Sequence, residues 1–328
     1  MRYSPISAMK AAQIRSYGDR EVVEINQSAS SQNDPSEGKV LVNVKAAGVN
    51  PSDWKLREGF FKQMVPLQFP ATLGMDFSGV IEKVGVGVAS DLKQGDEVYG
   101  QSGVFAGGSG AFAEMALANA DKIAHKPKTL THEQAAGLPL VGVSAWQALV
   151  ETIGLSKGQK ILIHGGAGGI GSIAIPLAKH LGAYVATTVS TNDIQFVKEE
   201  LGADEVIDYK TQTFENVLPH DFDAVFDTVG GETYTRSFKV LKRGGGSGGI
   251  IVSMLEQPVQ ELMDQFGVKA VFLFSQVNRE RLTKLAEWVD QNNIRVNVER
   301  TFPLDEARAA LDYQRDVHPR GKIVLAMQ

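Results

Sequence analysis

The chain has 328 residues, a formal net charge of -5, 43% hydrophobic and 22% charged residues, and no cysteine. That length exceeds one small core and makes two domains the expectation, while the charge gives no electrostatic reason to expect nucleic acid or an anionic membrane as a partner. The missing thiols exclude disulfides, thiol nucleophiles and cysteine-ligated zinc, and they fit a reducing, cytoplasmic setting.

Residues 1–8 read as an extension, because regular patterning starts at Met9-Lys-Ala-Ala-Gln-Ile14. No stretch reads as a signal or a membrane span. The longest uncharged apolar run, 135–150, is too short and is broken by Gly137, Pro139 and Gly142. Up to about Lys126 the signals are β. Lys39-Val-Leu-Val-Asn-Val-Lys45 alternates as a half-buried strand should, and Phe77–Val84 and Glu97–Tyr99 repeat the theme between Gly-rich turns. A compact, mostly β domain is predicted.

After Pro127 the character changes. Thr131-His-Glu-Gln134 opens a helix as a capping box, with Gln134 reaching back to Thr131. Strands are predicted at 160–164, 184–189, 205–209, 223–228, 249–254 and 269–274. Helices are predicted at 173–181, 193–201, 233–241 and 278–291. The alternation is that of an α/β, doubly wound Rossmann sheet. Residues 295–328 read strand, helix, strand and do not extend that sheet neatly; a return to the first domain would account for them.

The chemistry-bearing stretch is Lys160-Ile-Leu-Ile-His164 followed by Gly165-Gly166-Ala167-Gly168-Gly169-Ile170-Gly171. A β-run turns through Gly166-x-Gly168-x-x-Gly171 into a helical pattern. Such a turn lets the backbone approach a pyrophosphate while helix N–H groups face the anion. The end of the next strand, Val189-Ser190-Thr191-Asn192, lacks the acid that usually holds a ribose 2′-hydroxyl. Nothing there repels a 2′-phosphate, and three side chains can donate to it. NADPH is therefore the expected cofactor. An ordinary helix N-cap is an alternative use of Ser190 and Thr191.

Several ordered motifs together resemble the medium-chain dehydrogenase/reductase superfamily, in its zinc-independent quinone oxidoreductase and enone reductase branch. They are Ala46-Ala-Gly-Val-Asn50-Pro-Ser-Asp53-Trp-Lys55, Pro70-Ala-Thr-Leu-Gly74-Met-Asp76-Phe-Ser-Gly79, Gly95-Asp-Glu-Val-Tyr99-Gly100, Gly110-Ala-Phe-Ala-Glu114, Ala135-Ala-Gly-Leu-Pro-Leu140, Ser144-Ala-Trp146, Leu201-Gly-Ala-Asp204 and Arg320-Gly-Lys-Ile-Val-Leu325. The resemblance implies a mostly β, GroES-like catalytic domain built from residues 1–128 and 294–328, with a Rossmann NADP-binding domain at 129–293 inserted. It also implies an active site in the cleft between them.

In zinc relatives, Cys stands at the place of Asn50 and Gly-His-Glu at that of Gly74-Met75-Asp76. Here Asn50 and Met75 are poor zinc ligands and there is no thiolate anywhere, so no metal is expected, and conjugate reduction is favoured over alcohol oxidation. By resemblance, Asn50 and Ser144 flank nicotinamide and substrate carbonyl, and Asp53 and Lys55 stand behind to orient or relay protons. Tyr209 lies against the adenosine ribose and Lys322 reaches the pyrophosphate. Trp54, Phe60, Phe105 and Phe112 are candidate pocket linings, with plain core as the alternative. Tyr99 is a conceivable proton donor, though a core role and solvent protonation are the default expectations. The implied activity is hydride transfer from NADPH to an enone, enal or quinone. An enoyl-thioester reductase and a non-catalytic NADPH-binding protein stay open. A homodimer is implied through the apolar strand Val268–Phe274, which would otherwise be an exposed edge.

Overall fold

The computed structural model describes residues 8–31 and 34–327. The expected N-terminal extension, apart from Ala8, lies outside them. The chain divides into two compact units, Met1–Leu140 with Val277–Gln328 and Val141–Gln276.

The first unit opens with β1 (Ala8–Ile14), β2 (Val23–Ser30) and β3 (Lys39–Val49). Helix α1 (Pro51–Arg57) follows directly, then β4 (Ala71–Thr72), β5 (Asp76–Val84), β6 (Glu97–Gln101), β7 (Met115–Asn119), β8 (Ile123–His125), α2 (His132–Ala136) and α3 (Pro139–Trp146). Division between the units falls within α3. The second unit continues with β9 (Lys160–His164), α4 (Gly171–His180), β10 (Tyr184–Val189), β11 (Glu205–Asp208), α5 (Phe214–Val217), β12 (Ala224–Asp227), α6 (Gly231–Ser237), β13 (Ile250–Ser253), α7 (Gln260–Phe266) and β14 (Lys269–Phe272). The chain then re-enters the first unit with α8 (Arg279–Asn292), β15 (Val298–Pro303), α9 (Ala307–Val317) and β16 (Lys322–Ala326).

In the first unit β2-β1-β4 form one sheet, and β15-β16-β3-β5-β6-β8 form another, with β7 also on β3. The alternation seen in the sequence becomes the inward face. Val40, Val42, Val44, Phe77, Ile81 and Val98 join Leu311 and Ile323 in one buried core. Register matters for the site: Ile323 pairs with Val49 and Gly48 with Asp76. The start of β16, the end of β3 and the start of β5 therefore lie side by side at one sheet end.

The second unit is a six-stranded parallel sheet in the order β11-β10-β9-β12-β13-β14. That is the doubly wound Rossmann order, with its switch point between β9 and β12. All six predicted strands form. The helix predicted at 193–201 instead resolves into a 3-10 turn, Thr191–Asp193, and a π segment, Phe196–Glu200. Short polar residues that bond to nearby backbone and side chains make a poor start for a regular helix.

The units part at 140/141 and 276/277, not at the expected 128/129 and 293/294. Two helices explain the difference. Helix α2 has the expected capping box, Thr131 Oγ1 accepting from Gln134 N at 3.2 Å and Gln134 Oε1 from Thr131 N at 3.1 Å. It packs on β3, where a Cβ at Gly48 would meet the Ala136 carbonyl oxygen at 2.3 Å. Helix α8 buries Leu282, Leu285, Ala286, Trp288 and Val289, spaced as one apolar stripe. Its Leu282 carbonyl accepts from Tyr99 Oη at 2.6 Å, and Asp290 accepts from the backbone N–H groups of Lys128 and Thr129 at 3.0 Å each.

Candidate active site

The glycine turn joins β9 to α4 at the switch point, and its glycines are there for different reasons. Gly165 has φ +68°, a left-handed conformation that disfavours side chains. A Cβ on Gly166 would meet Thr187 Oγ1 at 2.1 Å, and one on Gly171 would meet the Gly165 carbonyl oxygen at 2.3 Å. Both positions hold strand, turn and helix together. Gly168 differs: the nearest atom to its missing Cβ is the Gly165 carbonyl oxygen, at 3.4 Å. The fold itself asks little of that position, so its bareness leaves room for another molecule's backbone-close approach. The cradle thus fits a pyrophosphate. Ala167 is buried, while Gly168, Gly169 and Ile170 keep partial exposure. His164 beneath the turn is fully buried, with its ring nitrogens 2.9 Å from Thr188 Oγ1 and 2.8 Å from Ser237 Oγ. Burial pulls its pKa down to about 3, with Arg236 adding to the effect, so it is a neutral structural group.

At the end of β10 the surroundings are more acidic than the strand's own sequence suggests. Ser190 Oγ donates to Asp193 at 3.2 Å, and Thr191 Oγ1 donates to Asp208 at 2.6 Å. The expectation that nothing here repels a 2′-phosphate is corrected. The acid missing from β10 is supplied by the end of β11 and by the following turn. Asn192 and Tyr209 are exposed beside these groups, Tyr209 at 58%.

In the first unit, the paired sheet ends bring four polar side chains into one buried cluster: Asn50, Asp53, Asp76 and Lys322, each at most 3% exposed. Asn50 precedes Pro51 at the start of α1, and Asp53 caps that helix by accepting from Asn50 N at 2.8 Å. Lys322 Nζ donates to the Val49 carbonyl at 2.8 Å and to Asn50 Oδ1 at 2.5 Å. Asn50 Nδ2 donates to Asp76 Oδ2 at 3.0 Å; Asp76 also accepts from Gln101 Nε2 at 2.7 Å and Leu140 N at 3.0 Å. Asn50 Nδ2 carries two hydrogens and makes one hydrogen bond, to Asp76, while Asp53 Oδ1 and Ser102 Oγ are buried without a partner. Burial pushes the Asp53 carboxyl up to about 7, reinforced by Asp76 and opposed by the Asn50 N–H and Lys322. Burial also raises Asp76 and lowers Lys322, each offset by the opposite charge of the other.

The remaining candidates scatter. Lys322, expected on the pyrophosphate, has its ammonium turned to Asn50, because the β16–β3 pairing sets it against the end of β3. Lys55 sits over the Trp54 ring, 5.6 Å from its centroid, on the outer part of α1. Phe112 is no pocket lining: it is fully buried in the core and packs on Gly74. Phe60 is 66% exposed and Phe105 half-buried. Tyr99 is fully buried and tied to Leu282, which leaves it no proton-donor role. Ser144 is buried in the second unit, its hydroxyl 2.5 Å from that of Ser275. Sequence reasoning missed Asp76 and Gln101 as members of the cluster. The available signal was Asp76 standing where a zinc relative has a ligand. Among the described residues no group of three or more His, Cys, Asp or Glu could hold a metal ion, and no helix is long and apolar enough to cross a membrane.

Comparison with known proteins agrees with this architecture. Residues 36–128 match the alcohol dehydrogenase GroES-like domain and residues 201–325 the family described as zinc-binding dehydrogenase. The mouse mitochondrial NAD(P)H oxidoreductase RTN4IP1 is 35% identical, over 97% of this chain and 89% of its own length. The chloroplastic NADPH-dependent alkenal/one oxidoreductase of Arabidopsis thaliana is 36% identical, over 97% and 79%. The structure of the quinone oxidoreductase from Coxiella burnetii superimposes with a TM-score of 0.86 at 33% identity, covering 98% of this chain and all of that one. Both relatives' names carry an organelle, where the sequence reading expects the cytoplasm.

Proposed function

The chain belongs to the medium-chain dehydrogenase/reductase superfamily, among its quinone oxidoreductases and alkenal reductases, and on that premise we propose that it is a metal-free NADPH-dependent reductase of quinones or of the C=C bond of enals and enones. One observation carries the reading. The Asn50 amide is fully buried, its oxygen held by Lys322 and one of its two Nδ2 hydrogens by Asp76. A buried donor hydrogen left unmade costs about 1–3 kcal/mol, which a bond to a substrate oxygen would recover.

NADPH, when bound, supplies the hydride. The chain's own part is to hold it and to stabilise negative charge that develops on the substrate oxygen. The glycine cradle, with Gly168 unfilled, would take the pyrophosphate. Ser190, Thr191 and Asn192 would face the 2′-phosphate, with Asp193 and Asp208 narrowing the margin over NADH. The preorganised N–H of Asn50 would face the developing oxyanion, where a fixed donor in a dry site is most effective. Asp53 fixes Asn50 by capping α1, and solvent supplies the proton that completes reduction.

A metal does not fit the donors at the zinc positions. They are a carboxamide, a thioether and one carboxylate already holding three N–H groups, with the Lys322 amine on the carboxamide. The exposed side of β14, at the end of its sheet, would pair with a second copy to give a homodimer.

The test is NADPH oxidation across a panel of enals, enones, quinones and a crotonyl thioester. Turnover of enals or quinones well above the thioester supports the reading. Thioester turnover alone would make the protein an enoyl-thioester reductase, and no turnover with tight cofactor binding would leave it a binding protein.

A further inference from the structure

On the reading of Asn50 as the donor to substrate, we infer that Lys322 is a positioning residue. Its amine fixes the Asn50 carboxamide in the one orientation that presents an N–H to the substrate oxygen. A carboxamide has two faces of similar shape and opposite chemistry, and only its neighbours decide which way it lies. Here the neighbours leave no choice. Lys322 Nζ offers hydrogens, donating to Asn50 Oδ1 at 2.5 Å, whereas the Asp76 oxygen, 3.0 Å from Asn50 Nδ2, accepts. Rotating the amide by half a turn would set N–H against amine and C=O against carboxylate, losing both bonds and adding two repulsions.

The clamp is built by the sheet. Ile323 pairs with Val49 and Gly48 with Asp76, so strands β16 and β5 bring an amine and a carboxylate to the residue that follows β3, Asn50. Lys322 is locked in turn by the Val49 carbonyl at 2.8 Å. Asp76 is locked by Gln101 at 2.7 Å and Leu140 N at 3.0 Å. Loss of Lys322 would leave Oδ1 unpaired and the amide held from one side alone, by Asp76, so that its N–H is no longer fixed toward a developing oxyanion.

A pyrophosphate role for the same lysine makes a different prediction, so the two separate cleanly. Lys322→Met, Asn50→Ala and the double variant are compared for NADPH dissociation constant, for kcat and KM with an enal, and for melting temperature. Lys322→Gln is carried through the same cycle should Lys322→Met fail to fold. The positioning role gives Lys322→Met a kcat lower by about 10²-fold and an NADPH dissociation constant within about two-fold of wild type. The double variant is then no slower than Asn50→Ala, and the two single losses in melting temperature sum to clearly more than the double variant's.

A cofactor affinity weakened ten-fold or more with kcat retained at saturation, on the order of one lost charged contact, overturns the inference in favour of the pyrophosphate. Multiplicative kcat losses and additive melting shifts overturn it as well. If wild type turns over no enal or quinone, the proposed function falls. The melting cycle still decides whether Lys322 and Asn50 are coupled, and additive shifts there overturn the clamp on their own.

Discussion

Thr191 donates its hydroxyl hydrogen to Asp208 at 2.6 Å, just beyond the Val189–Asp208 register pair that joins β10 to β11. The hydroxyl holds that carboxyl below its usual range, so it is ionised across the neutral range. A 2′-phosphate placed here would meet a negative charge as well as the hydroxyl groups. Asp208→Asn keeps the shape and removes the charge. The expected result, by fluorescence titration, is NADPH binding tightened by about five-fold and NADH unchanged, because only the phosphate senses that charge. Equal effects on both cofactors would place the 2′ end elsewhere.

The glycine turn predicts a split between two alanine variants. Gly171→Ala drives a Cβ into the backbone of Gly165 and Gly166, at 2.3 and 2.6 Å, and should lower stability by at least about 2 kcal/mol in denaturant unfolding. Gly168→Ala meets only one contact at 3.4 Å. It should unfold within about 0.5 kcal/mol of wild type yet bind NADPH on the order of ten-fold more weakly. Normal cofactor affinity in Gly168→Ala would remove the pyrophosphate from that position.

Asp53 sets a pH dependence whose sign is fixed. Its folded pKa, about 7, lies above the ordinary carboxyl value of 3.8, because burial disfavours the charged form. The folded state therefore holds the proton more tightly. The group's contribution to stability is complete below the unfolded pKa and is lost as pH rises through about 7. Asp53→Asn retains an oxygen for the Asn50 N–H and removes the titration. Melting temperatures from pH 5 to 8 should show wild type losing ground to the variant as pH rises. Parallel curves would contradict the assignment.

Most of the fold was legible because its signals are local. Strand alternation in Lys39–Lys45, the Thr131–Gln134 capping box and the β-turn-helix around Gly165–Gly171 each sit within a dozen residues, and each appears where expected. What was not legible depends on pairing across long separations. Lys322 and Asn50 are 272 residues apart, and only the β16–β3 register shows that they touch. The same holds for Asp208, whose carboxylate reaches a hydroxyl in the turn after the neighbouring strand, and for α8, whose apolar stripe gave no hint of which unit it would cover. Phe112 shows the converse: aromatic spacing alone does not tell a core ring from a pocket lining.

The outer edge of β14 makes a further prediction. Val271 and Phe272 remain partly exposed on a strand that, among the described residues, pairs on one side only. Light scattering should give a dimer, and Val271→Asp should shift it toward monomer with unfolding of the single chain little changed. A monomeric wild type would show that β14 stays unpaired.

Hydride transfer to carbon is tested by following the transferred hydrogen. NADPH deuterated at the carbon that gives the hydride is incubated with wild type and a small enal, and the product is read by mass spectrometry and NMR. Deuterium is expected at the β-carbon of the saturated aldehyde, at a rate that falls by about 10²-fold in Asn50→Ala while NADPH affinity is kept. Deuterium at the carbonyl carbon, or none in the product while NADPH stays tightly bound, would contradict the proposed reduction.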